Sequence, residues 1–128
     1  VVLAVGDLRR VLLVVEAGDH HATILDGDRF EPLARFPTRF ALHGGPKFSP
    51  DGRYVFFMSR DGWLSKYDLW TLTMLAEIRA GINARNIAIS RDGKHIAVAN
   101  YLPHTLVMLS AMWLVGDYLR MSRQRNVG

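Results

Sequence analysis

None of the 128 residues is cysteine, which removes disulfides, thiolate metal sites, cysteine nucleophiles and the C-x-x-C-H attachment motif of c-type heme. Long apolar runs are missing as well. Stretches such as residues 11–15 fall far short of the roughly 20 residues that span a bilayer, so no transmembrane segment is expected. The opening residues reach Arg9 and Arg10 after a few apolar positions and hold no complete secretory signal; with the lack of an initial Met, this points to a processed or truncated start. Helical periodicity is weak throughout. No serine, histidine and acid arrangement has recognisable flanks, and no glycine-rich phosphate loop follows a strand and opens a helix. Hydrolase and nucleotide-binding readings are left without support.

Charge of one sign is not concentrated either. Sixteen Lys and Arg face twelve Asp and Glu, giving a net charge of +4, yet only Arg120, Arg123 and Arg125 form a cluster. Basic residues do not alternate with aromatics in an RNA-binding register, so no nucleic-acid partner is expected. The surplus suits the carboxylates of a small ligand equally well.

What is present is a repeat within one globular makeup, 49% hydrophobic and 22% charged. Ser49-Pro50-Asp51-Gly52-Arg53 precedes the apolar run Tyr54-Val55-Phe56-Phe57-Met58, and Ser90-Arg91-Asp92-Gly93-Lys94 precedes His95-Ile96-Ala97-Val98-Ala99. Leu64-Ser65-Lys66-Tyr67-Asp68 has counterparts in Ala22-Thr23-Ile24-Leu25-Asp26 and in Leu106-Val107-Met108-Leu109-Ser110. The unit recurs about three times at a period of roughly 40 residues, which fits propeller blades. Asp51-Gly52, Asp61-Gly62 and Asp92-Gly93 supply hairpin turns, since glycine takes positive φ at little cost.

The expected fold is therefore all-β, a β-propeller of four-stranded antiparallel sheets. About three blades occupy residues 1–112, and a basic tail without further blade signal, 113–128, is expected to fray. A small sandwich of hairpins matches the strand pattern about as well but not the repetition. Trp63, Tyr67 and Trp70 are expected to pack between blades. Propellers close with about four or more blades, so three need either the rest of a longer propeller or association with other chains.

Three stretches in one order then carry a family resemblance. Arg39-Phe40-Ala41-Leu42-His43-Gly44-Gly45-Pro46-Lys47-Phe48 leads into the first Ser-Pro-Asp-Gly turn, Ser59-Arg60-Asp61-Gly62-Trp63 follows, and Arg79-Ala80-Gly81 through Arg85-Asn86 to Asn100-Tyr101-Leu102-Pro103-His104 comes third. Over most of residues 11–110 the chain resembles the heme d1 proteins, and among them the NirF family of heme d1 biosynthesis. The d1 domains of cd1-type nitrite reductase and of NirN show similar but looser spacing. Both of those carry a c-type heme domain, for which this chain has no cysteine, and that favours NirF. The resemblance implies an eight-bladed propeller in the periplasm that binds heme d1, or a dihydro-heme d1-type precursor, as an iron tetrapyrrole. It implies a late processing step, such as a dehydrogenation by an oxidoreductase, in the supply of heme d1 for denitrification. Nitrite reductase and other heme d1 maturation proteins are the implied partners. A non-catalytic tetrapyrrole carrier or assembly scaffold, and a propeller interaction module without cofactor, are the alternatives.

On the residues alone, His43 before Gly44-Gly45-Pro46 reads as a solvated or hydrogen-bonded loop histidine. The resemblance instead implies the axial ligand of the heme iron, a role that neutral imidazole fills. It also implies that Arg60 and Arg85 hold ligand carboxylates, which a guanidinium binds through two parallel hydrogen bonds. Arg39, four residues before His43, is balanced between that role and a solvated loop. Asn86 and Tyr101 are candidate donors at the ring edge or plain loop residues. His20 and His21 read as a polar turn, His95 as a strand surface position, and His104 receives no role. No catalytic residue is assigned.

Overall fold

The Ser-x-Asp-Gly turns close on themselves. Ser49 Oγ donates to Asp51 at 2.6 Å, the Arg53 amide donates to the same carboxylate at 3.0 Å, and the Tyr54 amide returns to Ser49 Oγ at 2.9 Å. One unit later, Ser90, Asp92, Lys94 and His95 repeat the arrangement at 2.6, 3.0 and 3.0 Å. Turns fixed in this way send the flanking apolar runs back antiparallel.

The computed structural model describes residues 10–42, 45–101, 103–111 and, by backbone alone, 121–126. Three antiparallel sheets follow one another along the chain. The first is β1 (Val11–Glu16), β2 (His21–Asp26) and β3 (Pro32–Pro37). The second is β4 (Lys47–Phe48), β5 (Tyr54–Met58), β6 (Trp63–Asp68) and β7 (Thr73–Arg79). The third is β8 (Ala84–Ile89), β9 (His95–Asn100), β10 (Thr105–Ser110) and β11 (Met121–Asn126). The all-β expectation holds as a partial, propeller-like stack. Two details differ. Among the described residues the first sheet has three strands rather than four. The tail is not frayed at 121–126, where β11 pairs along β10 from Thr105↔Asn126 to Leu109↔Met121. The open edge of β10 offers unpaired N–H and C=O groups that a strand can satisfy without an apolar pattern, which is why the side chains gave no warning.

Alternation along β5 and β6 sorts their side chains to opposite faces. Val55, Phe57 and Tyr67 join Ala22 and Ile24 of the first sheet in one core. Phe56, Met58 and Leu64 join Ile87, Ile96 and Val98 of the third in another. The second sheet is thus covered on both sides, and this accounts for the unbroken apolar run at 54–58. Tyr67 stacks on Phe36 of β3 at 4.0 Å, an inter-sheet contact as expected. Trp63 and Trp70 behave otherwise, lying under the guanidinium groups of Arg39 and Arg53 at 4.0 and 4.3 Å.

Because the strands alternate in direction, the sheets have two unlike ends. One, the turn rim, holds the Ser-x-Asp-Gly turns at 49–52 and 90–93 and the β6–β7 turn. The other, the linker rim, holds the crossings from sheet to sheet, β3 to β4 and β7 to β8, with the β5–β6 and β9–β10 turns. Backbone hydrogen bonds tie this rim together: Arg60 N–H to Ala41 O at 2.8 Å, Ala84 N–H to Arg60 O at 3.0 Å, and Tyr101 N–H to Asn83 O at 2.8 Å.

Candidate functional site

Arg39, Arg60, Arg85 and Tyr101 stand on the linker rim, and Asn86 stands just inside β8. Arg60 is the first residue after the Leu42↔Ser59 bridge, its backbone bonded on both sides by Ala41 and Ala84. Its side chain is exposed, and among the described residues the guanidinium has no hydrogen bond or ion pair. Arg85 owes its direction to a bulge. Ala84 pairs with Asn100 and Asn86 with Ala99, so Arg85 is the extra residue in β8. Bulges of this kind re-aim a side chain. The Arg85 guanidinium lies over the Tyr101 ring at 4.9 Å, and that ring meets the His104 imidazole at 5.0 Å. The rim therefore joins Arg85 to Tyr101, and adds His104, for which the sequence offered no role.

Arg39 is committed elsewhere. Its Nε and Nη2 donate to the two oxygens of Glu77 at 3.0 and 3.1 Å, while Ser65 Oγ donates to the same carboxylate at 2.7 Å. With Trp63 beneath it, Arg39 fastens the β3–β4 linker to the second sheet, and the fork needed for a ligand carboxylate is occupied by Glu77. Asn86 is exposed, and its Oδ1 accepts from the Ile87 amide at 2.8 Å. His43 lies outside the described residues. In sequence it follows Leu42, the partner of Ser59, as Arg85 follows Ala84, the partner of Asn100; the two hold corresponding positions of the repeat.

The rim also holds residues that sequence reasoning missed. Phe40, Arg60, Asp61, Ile82 and Asn83 line a cleft of about 270 Å³. Phe40 is 57% exposed and Ile82 66%. An apolar residue within a loop gives no periodic signal; the only clue available was that 40 and 82 fall one repeat apart. His20, read as part of a polar turn, places its ring 5.3 Å from that of Phe40.

The turn rim has the larger cavity, about 490 Å³, with Tyr54, Lys66 and Lys94 in its lining. Lys66 is buried, donates to Ala111 O at 3.0 Å and lies 4.3 Å from the Tyr54 ring centre. Burial chiefly, with the nearby Arg53 charge, holds its ammonium below the usual lysine range. Beside it, Arg53 forks onto buried Asp68 at 3.3 and 3.0 Å. Among the described residues no group of three or more His, Asp or Glu gathers to hold a metal ion, and no helix is long and apolar enough to cross a membrane.

Stacked antiparallel sheets, with an arginine uncommitted among the described residues and exposed apolar side chains on one rim, define a propeller-type class of fold. The cytochrome D1 heme domain model matches residues 6–116, and the chain belongs to that family. It is 65% identical over 106 residues to the dihydro-heme d1 dehydrogenase of Pseudomonas aeruginosa, covering 83% of this chain and 22% of that protein. It is 38% identical over 99 residues to protein NirF of Pseudomonas aeruginosa, covering 77% of this chain and 24% of the relative. Among solved structures, dihydro-heme d1 dehydrogenase NirN in complex with DHE superposes with a TM-score of 0.85 at 58% identity, over 92% of this chain and 24% of that one. The β-propeller domain of Myceliophteria thermophila Cps50 (Swd1) superposes at 0.70 with 14% identity, over 83% of this chain and 34% of that one, a likeness of fold alone.

The chain thus spans about a quarter of the length of these heme d1 relatives. Kinship with the NirN and NirF proteins stands. The preference for NirF over NirN does not, because the NirN-type relative is the more similar of the two. The preference rested on missing cysteines, and a segment matching 22% of the relative has no bearing on a c-heme domain elsewhere in such a protein.

Proposed function

We propose that the parent propeller, closed by eight blades, binds a heme d1-type tetrapyrrole over the linker rim and acts in the late processing of a dihydro-heme d1 precursor as a periplasmic oxidoreductase. One observation carries this reading. Arg60, with its guanidinium uncommitted among the described residues, shares a cleft with exposed Phe40 and Ile82, while Arg85 and Tyr101 lie on the same rim. Cationic forks beside apolar surface suit a flat macrocycle edged with carboxylates, and the name of the 65% identical relative agrees. At about 270 Å³ the cleft is smaller than the ~300–1,000 Å³ of an enclosed ligand pocket, so it fits one edge of such a ring.

When bound, the tetrapyrrole would supply its iron and conjugated ring for electron transfer. The chain's own part is to orient it. Arg60 would grip one carboxylate, Arg85 a second from its bulge, and Tyr101 would fix the angle of the Arg85 guanidinium. Asn86 would be a further donor at the ring edge, and His43 would hold the iron. Nitrite reductase and other heme d1 maturation proteins are the protein partners in this reading. A carrier that delivers the tetrapyrrole unchanged would use the same residues.

The test is an absorption titration of the full-length protein with dihydro-heme d1, for wild type and His43→Ala. Saturable binding is expected, with a changed spectrum but intact β-sheet circular dichroism in the variant. No binding by the wild type would end the reading, and an identical spectrum would remove His43 as ligand. Conversion of the bound precursor separates an oxidoreductase from a carrier.

A further inference from the structure

Exposed Phe40 and Ile82 are what the fold leaves unexplained on the linker rim. Other large apolar side chains of the second sheet, such as Phe56, Phe57 and Leu64, are buried in its two cores. Phe40 and Ile82 are not in either core, yet line one cleft with Arg60 between the β3–β4 and β7–β8 linkers. Their backbones are well fixed. The following residue, Ala41, stands at φ 48° and accepts the Arg60 amide, while Asn83 after Ile82 accepts the Tyr101 amide. A left-handed alanine costs free energy, and such strain concentrates at binding sites. Two successive linkers thus present a large apolar side chain at the same repeat position, each next to a residue pinned by a turn that carries a candidate ligand group.

We propose that Phe40 and Ile82 are specificity-determining contacts that pack against the apolar part of the tetrapyrrole edge while Arg60 between them takes its carboxylate. This rests on the binding reading above and adds two residues to it. Arginine alone would accept any accessible carboxylate; the flanking side chains exclude water from the ion pair and select ligands whose carboxylates hang from an apolar ring. Selection then depends on the ring as well as on charge. A small di- or tricarboxylate has the charge but nothing to cover Phe40 and Ile82.

The experiment measures dihydro-heme d1 affinity by absorption titration in the full-length protein for wild type, Phe40→Ser, Ile82→Ser and the conservative pair Phe40→Leu and Ile82→Leu, with citrate as competitor. Each serine variant is expected to bind roughly tenfold more weakly, as loss of a part-buried apolar contact implies. The leucine variants are expected to recover most of the affinity, and citrate is expected not to compete. Affinity unchanged in both serine variants would overturn the proposal, as would effective competition by citrate. Equal loss of affinity in the serine and leucine variants would overturn it too. If wild type binds dihydro-heme d1 and the serine variants match it, this proposal fails while the binding reading survives; if wild type does not bind, the binding reading itself fails.

Discussion

The two rims of the same sheets use similar residues to opposite ends. On the turn rim, Arg53 forks onto Asp68 and covers Trp70, and each Ser-x-Asp-Gly turn closes within itself. On the linker rim, Arg39 forks onto Glu77 over Trp63 and the Ser59–Gly62 turn closes in the same way, but Arg60 has no such partner among the described residues, Arg85 rides on a bulge, and Phe40, Ile82 and Tyr101 are exposed. Residue type therefore does not mark the proposed binding face. The difference lies at Arg60, the rim arginine whose guanidinium is not matched inside the fold among the described residues.

The linker rim has its own structural parts, and breaking one should have the largest effect. Gly62 sits at φ 96°, and a Cβ there would strike the Gly81 carbonyl oxygen of the next linker. Gly62→Ala is expected to cost roughly 3–5 kcal/mol from strain and overlap together, read as a lowered thermal midpoint. An unchanged midpoint would mean that the linker is not packed against the turn.

Acid should weaken the turn rim next. Burial pushes the Asp68 carboxyl up, but the Arg53 fork and the Trp70 amide outweigh it and hold its pKa below the ordinary value. A carboxylate depressed in the folded state contributes stability that is complete above its unfolded value and is lost as pH falls through the folded one. The urea midpoint should therefore drop as pH goes below about 4, and Asp68→Asn should flatten that slope. An equal slope in the variant would assign the acid sensitivity elsewhere. A smaller loss, about 1 kcal/mol for the hydrogen bonds of Asp51, is expected in Asp51→Ala.

Much of this fold was legible because its signals are local. A Ser-x-Asp-Gly turn contains its own donors and acceptors within a few residues, and the repeat of apolar runs reports burial between sheets. Other features depend on distant partners. Arg39 and Glu77 are 38 positions apart, so nothing near Arg39 could tell a ligand fork from an internal one. The Arg85 bulge is a mismatch of register with β9, which only the pairing reveals. β11 was missed because backbone pairing, not an apolar pattern, recruits it. His43 was singled out by resemblance alone.

The contrast between the rims is tested most directly by titrating dihydro-heme d1 into full-length protein carrying Arg60→Lys, Arg85→Lys or, on the opposite rim, Asp51→Ala. A lysine keeps the charge but not the fork, so each arginine variant should lose about 1.5–3 kcal/mol of binding free energy. Asp51→Ala should lose stability while its affinity stays at the wild-type value. Arginine variants that bind as tightly as wild type, or an Asp51 variant that binds as weakly as they do, would contradict a binding face confined to the linker rim.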